Sequence, residues 1–495
     1  MKTERESLAL QAIHNGGGML YPFLHGYEKL AVLLDQVPRD EWRKDEAVLG
    51  CLILYLVKNG HAVRAKSYLY AARLDFEKTY RFDVLDLLLE LHLGEPVSTY
   101  KLTKWRRLER TLPVSQPLML GLYYNAMTAM AVRLNRLEDG RVYGLQAISC
   151  YREHGHTYLE HFIHIHLAGI DVIEGHLHRA RRSLAAAESC LALSKTRYGN
   201  ESEVVEIVRL SVDYECGKLQ TVRRNSARLR ESLLNGDSWS ELFFQLARIS
   251  VLSAYFLDGR VAAQQEIEVF RADYARRHSG VTTPIDAMHA LIHHLEWHPD
   301  AAERSLKGLK QKPMHSSIGD MFVDELEAMI DETQPRPDVT PRGAIVAALE
   351  RAHNSRGKAR KSEIENAIRL AFAERQMAPF LEHRDVFFGI SSKLADSKFD
   401  RGNRSLGRFA KMVVRMVERS YVVPDVLEEL GLNRRQYRVA AALRSGASNK
   451  QIARQLGSSE ATVKYHLTNL YKMTGSIKRS ELIDFMEESE VFEVY

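Results

Sequence analysis

The chain has 495 residues, well past the roughly 250–300 at which one hydrophobic core stops growing, so two or more domains are expected. Hydrophobic residues make up 45% and charged residues 27%, a globular balance that excludes a largely disordered or collagen-like polymer. The net charge of +5 is unevenly spread: residues 1–342 carry 43 Lys and Arg against 45 Asp and Glu, whereas residues 432–480 carry ten against a single acid, Glu460. At the amino end, Met1-Lys2-Thr3-Glu4-Arg5-Glu6 lacks the apolar core of a signal peptide, and the clean apolar run Cys51 to Val57 is far too short for a membrane span. The four scattered cysteines, Cys51, Cys150, Cys190 and Cys216, form neither a disulfide framework nor a zinc motif. A cytoplasmic protein without membrane contact is expected.

Across residues 1–332 apolar side chains recur at three- and four-residue spacing, as in Leu85-Leu88-Leu89 and Leu184-Leu191, which predicts helices throughout. Gly60, Gly94, Gly140, Gly175, Gly217 and Gly259 punctuate them at intervals of 34 to 46 residues, a spacing suited to stacked helical hairpins. Gly60, Ala65, Leu69 and Ala72 recur at the same offsets as Gly175, Ala180, Leu184 and Ala187, with a degraded copy at Gly217, Val222, Ser226 and Leu229. Small residues let paired helices approach while the leucine fills the groove. The pattern loosely resembles tetratricopeptide-like repeats.

Within this region, Tyr123, Tyr124, Tyr158, Trp239 and Tyr255 are candidates to stack on a small molecule or peptide held by a concave helical surface. Histidines gather between His154 and His178, where His161 and His164 lie a turn apart, and His289 and His293 form a second pair. No sequence spacing adds a cysteine or carboxylate to them, so no metal is assigned. Nucleophile elbow, HExxH helix and dinucleotide fingerprint are lacking, and Gly217-Lys218 and Gly357-Lys358 lack the rest of a phosphate-binding loop. No enzyme, catalytic residue or cofactor is predicted.

Thr333 to Pro341 packs three prolines into seven residues, which favours extended backbone and marks a linker over 333–342. A basic helical connector follows over 343–424, interrupted by the polar stretch Ser391 to Ser405 and closed by Pro424. The remaining module spans 425–495. Its first helix ends at Gly446, and Ser448 with Gln451 forms a capping box opening a second helix whose Ile452, Ala453 and Leu456 share a face. Gly457 closes that helix. Ser459 caps a third, ended by Gly475.

Two short helices joined by a tight turn make a helix-turn-helix, whose second member can lie in the DNA major groove. Along the third helix, Val463, Leu467 and Leu470 recur at core spacing, while Ala461, Lys464, Tyr465, Thr468 and Lys472 fall on the opposite side. Lysine, threonine and tyrosine together can bind phosphates, base edges and sugar.

Gly446-x-Ser448-Asn449-Lys450-x-Ile452-Ala453-x-x-Leu456, Thr462-Val463-Lys464-x-His466-Leu467-x-Asn469-Leu470-Tyr471 and Arg479-x-Glu481-Leu482 make the module resemble the LuxR-type, or NarL-type, DNA-binding domain over about fifty residues. The resemblance implies that Lys464, Tyr465 and Thr468 face bases, that Asn449, Lys450, Thr462 and Asn469 lie nearer the DNA backbone, and that a helix at about Lys478 to Met486 assists dimerisation. Arg435-Gln436-Tyr437-Arg438 lacks the carboxylates usual in the family's first helix, Ser458 replaces an apolar residue, and Thr468 stands where many relatives carry a base. Ala367 to Ile390 is weakly similar to the helical region preceding this domain in MalT-like regulators, whose nucleotide-binding domain has no counterpart here.

The sequence therefore predicts an all-α chain: a helical-repeat, tetratricopeptide-like solenoid, a helical connector and a small helix-turn-helix domain. Its expected function is that of a bacterial transcription regulator, coupling a small-molecule or peptide effector, or a partner, at the repeats to promoter binding through Asn449, Lys450, Thr462, Lys464, Tyr465, Thr468, Asn469 and Lys472. Expected partners are double-stranded DNA, a second copy in a homodimer, and RNA polymerase. The second reading is a helical-repeat interaction scaffold whose terminal domain tethers or regulates a partner.

Overall fold

A computed structural model describes all residues except 1, 40–41, 43, 76–78, 94–97, 195–197, 278–281, 297, 311–325, 327–338, 388–403, 420–431, 433, 445, 457 and 490–495. Gly94, Gly457, Pro424 and the proline-rich stretch through Asp338 thus lie outside the described residues. Among those described, every regular element is helical. The first series is α1 (Lys2–Asn15), α2 (Tyr21–His25), α3 (Tyr27–Leu34), α4 (Glu46–Lys58), α5 (Ala62–Asp75), α6 (Tyr80–Leu93) and α7 (Thr99–Leu108). Next come α8 (Pro117–Arg133), α9 (Leu137–Glu153), α10 (Thr157–Glu174), α11 (Leu177–Leu193), α12 (Glu201–Glu215) and α13 (Leu219–Asn235). The series ends with α14 (Ser240–Asp258), α15 (Arg260–Arg277), α16 (Thr283–Leu295) and α17 (Pro299–Lys310).

Each even-numbered helix from α4 to α16, α6 aside, packs against its successor as a hairpin, and the even-numbered helices also pack on one another. The even-numbered set is accordingly the inner layer. Helix α4 shows why: Asp45 caps it by accepting from the amides of Ala47 and Val48 at 2.9 and 3.0 Å, and it is apolar all round, as a helix surrounded by protein must be. The small-residue pattern falls on outer helices, where Ala65 and Leu69 of α5, Ala180, Leu184 and Ala187 of α11, and Val222, Ser226 and Leu229 of α13 are all buried. Gly140 departs from the expected turn role. It lies in the first turn of α9, and Asn135, at φ 54°, reverses the chain instead.

The solenoid curls until the end of α4 meets the amino ends of α12 and α14. Lys58, its side chain 3% exposed, lies 3.0 Å from Glu201 and 3.2 Å from Asp237, and Asp237 also meets His92 at 3.1 Å. Burial alone would lower the lysine pKa, but Asp237 and Glu201 more than offset it and hold the ammonium charged. Tyr158 donates to Glu201 at 2.9 Å, and Arg277 donates to the carbonyls of Gly60 and Gly236 across the same seam.

The connector comprises α18 (Pro341–Asn354), α19 (Gly357–Phe372), α20 (Ala378–Glu382) and α21 (Arg404–Arg419). It has its own core, in which Ile345, Leu349, Ile368, Phe380, Phe409 and Val413 are buried. Arg342 joins it to the solenoid, 3.2 Å from Glu215 and 2.7 Å from Glu382, while the Met377 amide donates to the Glu215 carbonyl and Gln376 to the Gly175 carbonyl, both at 2.6 Å. Gly175 adopts φ +85°, and a Cβ there would sit 2.8 Å from the Arg342 nitrogen. The position therefore needs glycine both for the turn and for the close approach of the connector.

Replacing Lys58 with Met should cost about 3–5 kcal/mol, because two buried carboxylates lose their cation. A denaturant titration following helical circular dichroism measures it, and an unchanged midpoint would mean the seam contributes nothing to stability.

Candidate nucleic-acid interface

The terminal module contains α22 (Arg434–Arg444), α23 (Asn449–Gln455), α24 (Glu460–Thr474) and α25 (Arg479–Glu488). The expected caps are present. Ser448 accepts from the Gln451 amide at 3.3 Å while Gln451 accepts from the Ser448 amide at 2.7 Å, and Ser459 accepts from the Thr462 amide at 3.1 Å. Gly446 and Gly475 take φ +76° and +70°, the left-handed conformation that ends helices. Val463, Leu467 and Leu470 of α24 bury their side chains in a core with Ile452, Ala453, Leu482 and Met486.

That burial fixes which side of α24 faces outward. Ala461, Lys464, Tyr465, Thr468 and Lys472 are exposed, with Tyr465 at 63%. Lys450 on α23 is exposed too, whereas Asn449, Thr462 and Asn469 are half-buried at the margins. Lys464 lies 3.5 Å from Glu460 across an exposed pair, which screening keeps weak, and the Thr468 hydroxyl donates back to the Lys464 carbonyl at 2.9 Å. One face thus presents cations, an aromatic ring and a hydroxyl at helical spacing, a combination able to meet phosphates, sugars and base edges.

The remaining motif residues hold this geometry. Arg479 donates to the Ala447 carbonyl, tying the start of α25 to the turn before α23. Glu481 accepts from the amides of Ile477 and Lys478 at 2.8 and 3.1 Å, capping α25. The departures in the first helix also have a structural counterpart: buried Gln436 donates to the Met473 sulfur at 3.3 Å. Tyr437 places its hydroxyl 3.0 Å from the imidazole of His298, between α16 and α17 of the solenoid. Sequence patterning gave no sign of that contact, since it joins residues 139 apart.

The other sequence candidates sort differently. Tyr123, Tyr158 and Tyr255 are core residues, and Trp239, 7% exposed, lines two cavities. His161 is buried and donates to the Ala187 carbonyl at 2.8 Å. Glu160 and His164 lie one turn apart on α10, and the fold adds Cys190, which no spacing announces, so that the ligand atoms of the three lie within 4.8 Å of one another. Arg152 already holds Glu160 at 2.6 Å, and burial pushes the Cys190 thiol up to about 11, away from the thiolate a metal needs.

Residues 431–486 match the family model described as bacterial regulatory proteins, luxR family. The terminal module is therefore a LuxR-family helix-turn-helix domain. Among curated proteins the chain is similar to the monoamine regulon transcriptional regulator of Klebsiella aerogenes, 38% identical over 105 residues, which are 20% of this chain and 44% of that protein. The match thus spans less than half the length of this relative.

His298 is pushed down to about 4, first by burial and then by His293 and Arg260; His289, Glu296, Arg304 and Arg444 complete the charged surroundings of the imidazoles and Tyr437. A depressed folded-state pKa means that the packing around His298, its contact with Tyr437 of the terminal module included, is fully stabilised above the ordinary 6.5 and loses stability as pH falls toward about 4. Solution scattering should show the radius of gyration of the full chain rising across that window, with His298→Gln flattening the response. Equal pH dependence in both proteins would assign the expansion to other groups.

Proposed function

We propose that the chain is a DNA-binding transcription regulator whose α24 reads the major groove and whose helical-repeat region senses an effector or partner. The observation that carries this reading is the open face of α24: Lys464, Tyr465, Thr468 and Lys472 are all exposed, while the module meets the solenoid through Tyr437 on α22. Lys464, Tyr465 and Thr468 are assigned to bases. Lys450, Lys472, Asn449, Thr462 and Asn469 are assigned to the sugar-phosphate backbone. The basic balance of residues 432–480 supplies the sequence-independent attraction, and the luxR family match supports the assignment to DNA.

One module buries little DNA surface, so a homodimer engaging half-sites about 34–36 Å apart is the arrangement proposed, with α25 contributing to the contact between copies. Effector binding then acts by favouring one arrangement of the paired modules, which requires different affinities for the two. Within this proposal the protein works in the cytoplasm, contacts RNA polymerase at the promoter and performs no catalysis. No described helix is long and apolar enough to cross a membrane.

The test uses genomic fragments recovered by chromatin immunoprecipitation of the intact protein, titrated with the full chain by fluorescence anisotropy at several salt concentrations. Lys464→Ala should cost about 1–3 kcal/mol and relax preference at one base pair if Lys464 reads an edge, or reduce the salt slope by about one if it meets phosphate. Steep salt dependence without sequence preference would instead leave the terminal domain as a tether.

A further inference from the structure

Two chambers lie along the inner layer of the solenoid and share His166 and Trp239 as lining. The smaller, about 90 Å³, surrounds the Lys58–Asp237 seam. The larger, about 210 Å³, is walled by α8, α10, α12 and α14 and by Arg342 of the connector. It exceeds the roughly 150 Å³ apolar cavity that admits benzene. Ile165, Val208, Leu242 and Phe244 contribute an apolar wall, and Glu215, Glu241, Arg248 and Arg342 contribute charge, Glu241 being already paired with Arg133. This is the mixture of apolar surface and a few polar anchors typical of ligand sites.

Two features of this lining lack an explanation within the protein itself. Glu215 is 4% exposed, yet its Oε2 has no hydrogen-bond partner, a costly arrangement for a buried carboxylate. Gly169 sits inside α10, where glycine costs about 1 kcal/mol relative to alanine. Such a glycine is usually explained by a close neighbour, but a Cβ built there meets nothing within 4 Å. It faces open space that the chamber lining includes. A group that fills the chamber and donates to Glu215 accounts for both.

Charge narrows its chemistry. Arg248 and Arg342 stand with Glu215 and Glu382, two charges of each sign, with Arg248 3.9 Å from Glu382. A guest bearing one net charge would leave a buried ion uncompensated, whereas a zwitterion adds one of each sign. We infer that this chamber binds a free apolar α-amino acid, its ammonium at Glu215 Oε2, its carboxylate at the Arg248 guanidinium and its side chain along the Ile165–Phe244 wall. The inference deepens the effector half of the function proposed above and rests on it. Because Arg342 and Glu382 belong to the connector, occupancy bears directly on how the connector is held.

Isothermal titration calorimetry of the full chain with L-leucine, L-phenylalanine and L-tryptophan tests the site, together with the N-acetyl and carboxamide derivatives of each. At least one free amino acid should bind. Its two blocked derivatives should bind about tenfold more weakly or worse, the loss expected for one charge-assisted hydrogen bond. Arg248→Met should weaken binding by a similar factor, and Gly169→Leu, which fills open space from a helical position, should abolish it while helical circular dichroism and Tm are retained. Absence of heat with all three amino acids, equal binding of blocked derivatives, or undiminished binding by Gly169→Leu would overturn the inference. Anisotropy of the ligand-free chain on the recovered genomic fragments runs alongside: failure there defeats the regulator reading, and the calorimetry still decides the chamber separately.

Discussion

Arg342 occupies the position on which the relation between the two halves of the molecule depends. It stands at the start of the connector between Glu215, from the solenoid, and Glu382, from the connector. Burial pushes both carboxyls up, and Arg342 opposes that in each. Glu382, the closer partner and also near Arg248, is held down to about 2, while Glu215 remains raised. A buried arginine with two carboxylates stabilises little beyond an apolar equivalent, but it fixes register, because any displacement strands a charge. The Met377 amide, the Gln376 side chain and the Arg384–Tyr255 bond at 2.7 Å repeat the constraint at neighbouring points. Connector and solenoid are joined by specific polar contacts and share part of an apolar core, with Ala378 and Leu381 packed into that of the solenoid.

The part of this architecture legible in the sequence is the part that depends on local rules. Helix periodicity, turn glycines at Gly60, Gly175 and Gly217, and the Ser448–Gln451 and Ser459–Thr462 caps depend on residues a few positions apart. The outward set on α24 was legible for the same reason: once Val463, Leu467 and Leu470 are taken as core, geometry leaves Lys464, Tyr465 and Thr468 outside. Long-range partners were not. Lys58 reads as the end of an apolar run, yet its carboxylates come from residues 143 and 179 positions away. Gly140 misled because a glycine inside a helix and one in a turn look alike without knowledge of φ.

The terminal module shows how a motif separates into recognition and support. Arg479, half-buried, and Glu481, exposed, are engaged with the module's own backbone; one ties the turn at Ala447 and the other caps α25. Where the family's carboxylates are missing, Gln436 and Tyr437 serve contacts inside this particular chain. Ser458 sits half-buried and its hydroxyl donates to the Ser459 carbonyl at 3.4 Å, a weak bond.

The Lys58 seam also limits how the repeat region can evolve. Open helical arrays tolerate gain or loss of whole units, because each touches only its neighbours. Here the first hairpin pairs with groups beyond the fourth inner helix that follows it, through Asp237 and the Arg277–Gly60 bond. Duplicating or deleting one unit would carry those partners out of reach, so the number of hairpins is set by the closure, and diversification is left to side chains lining the interior.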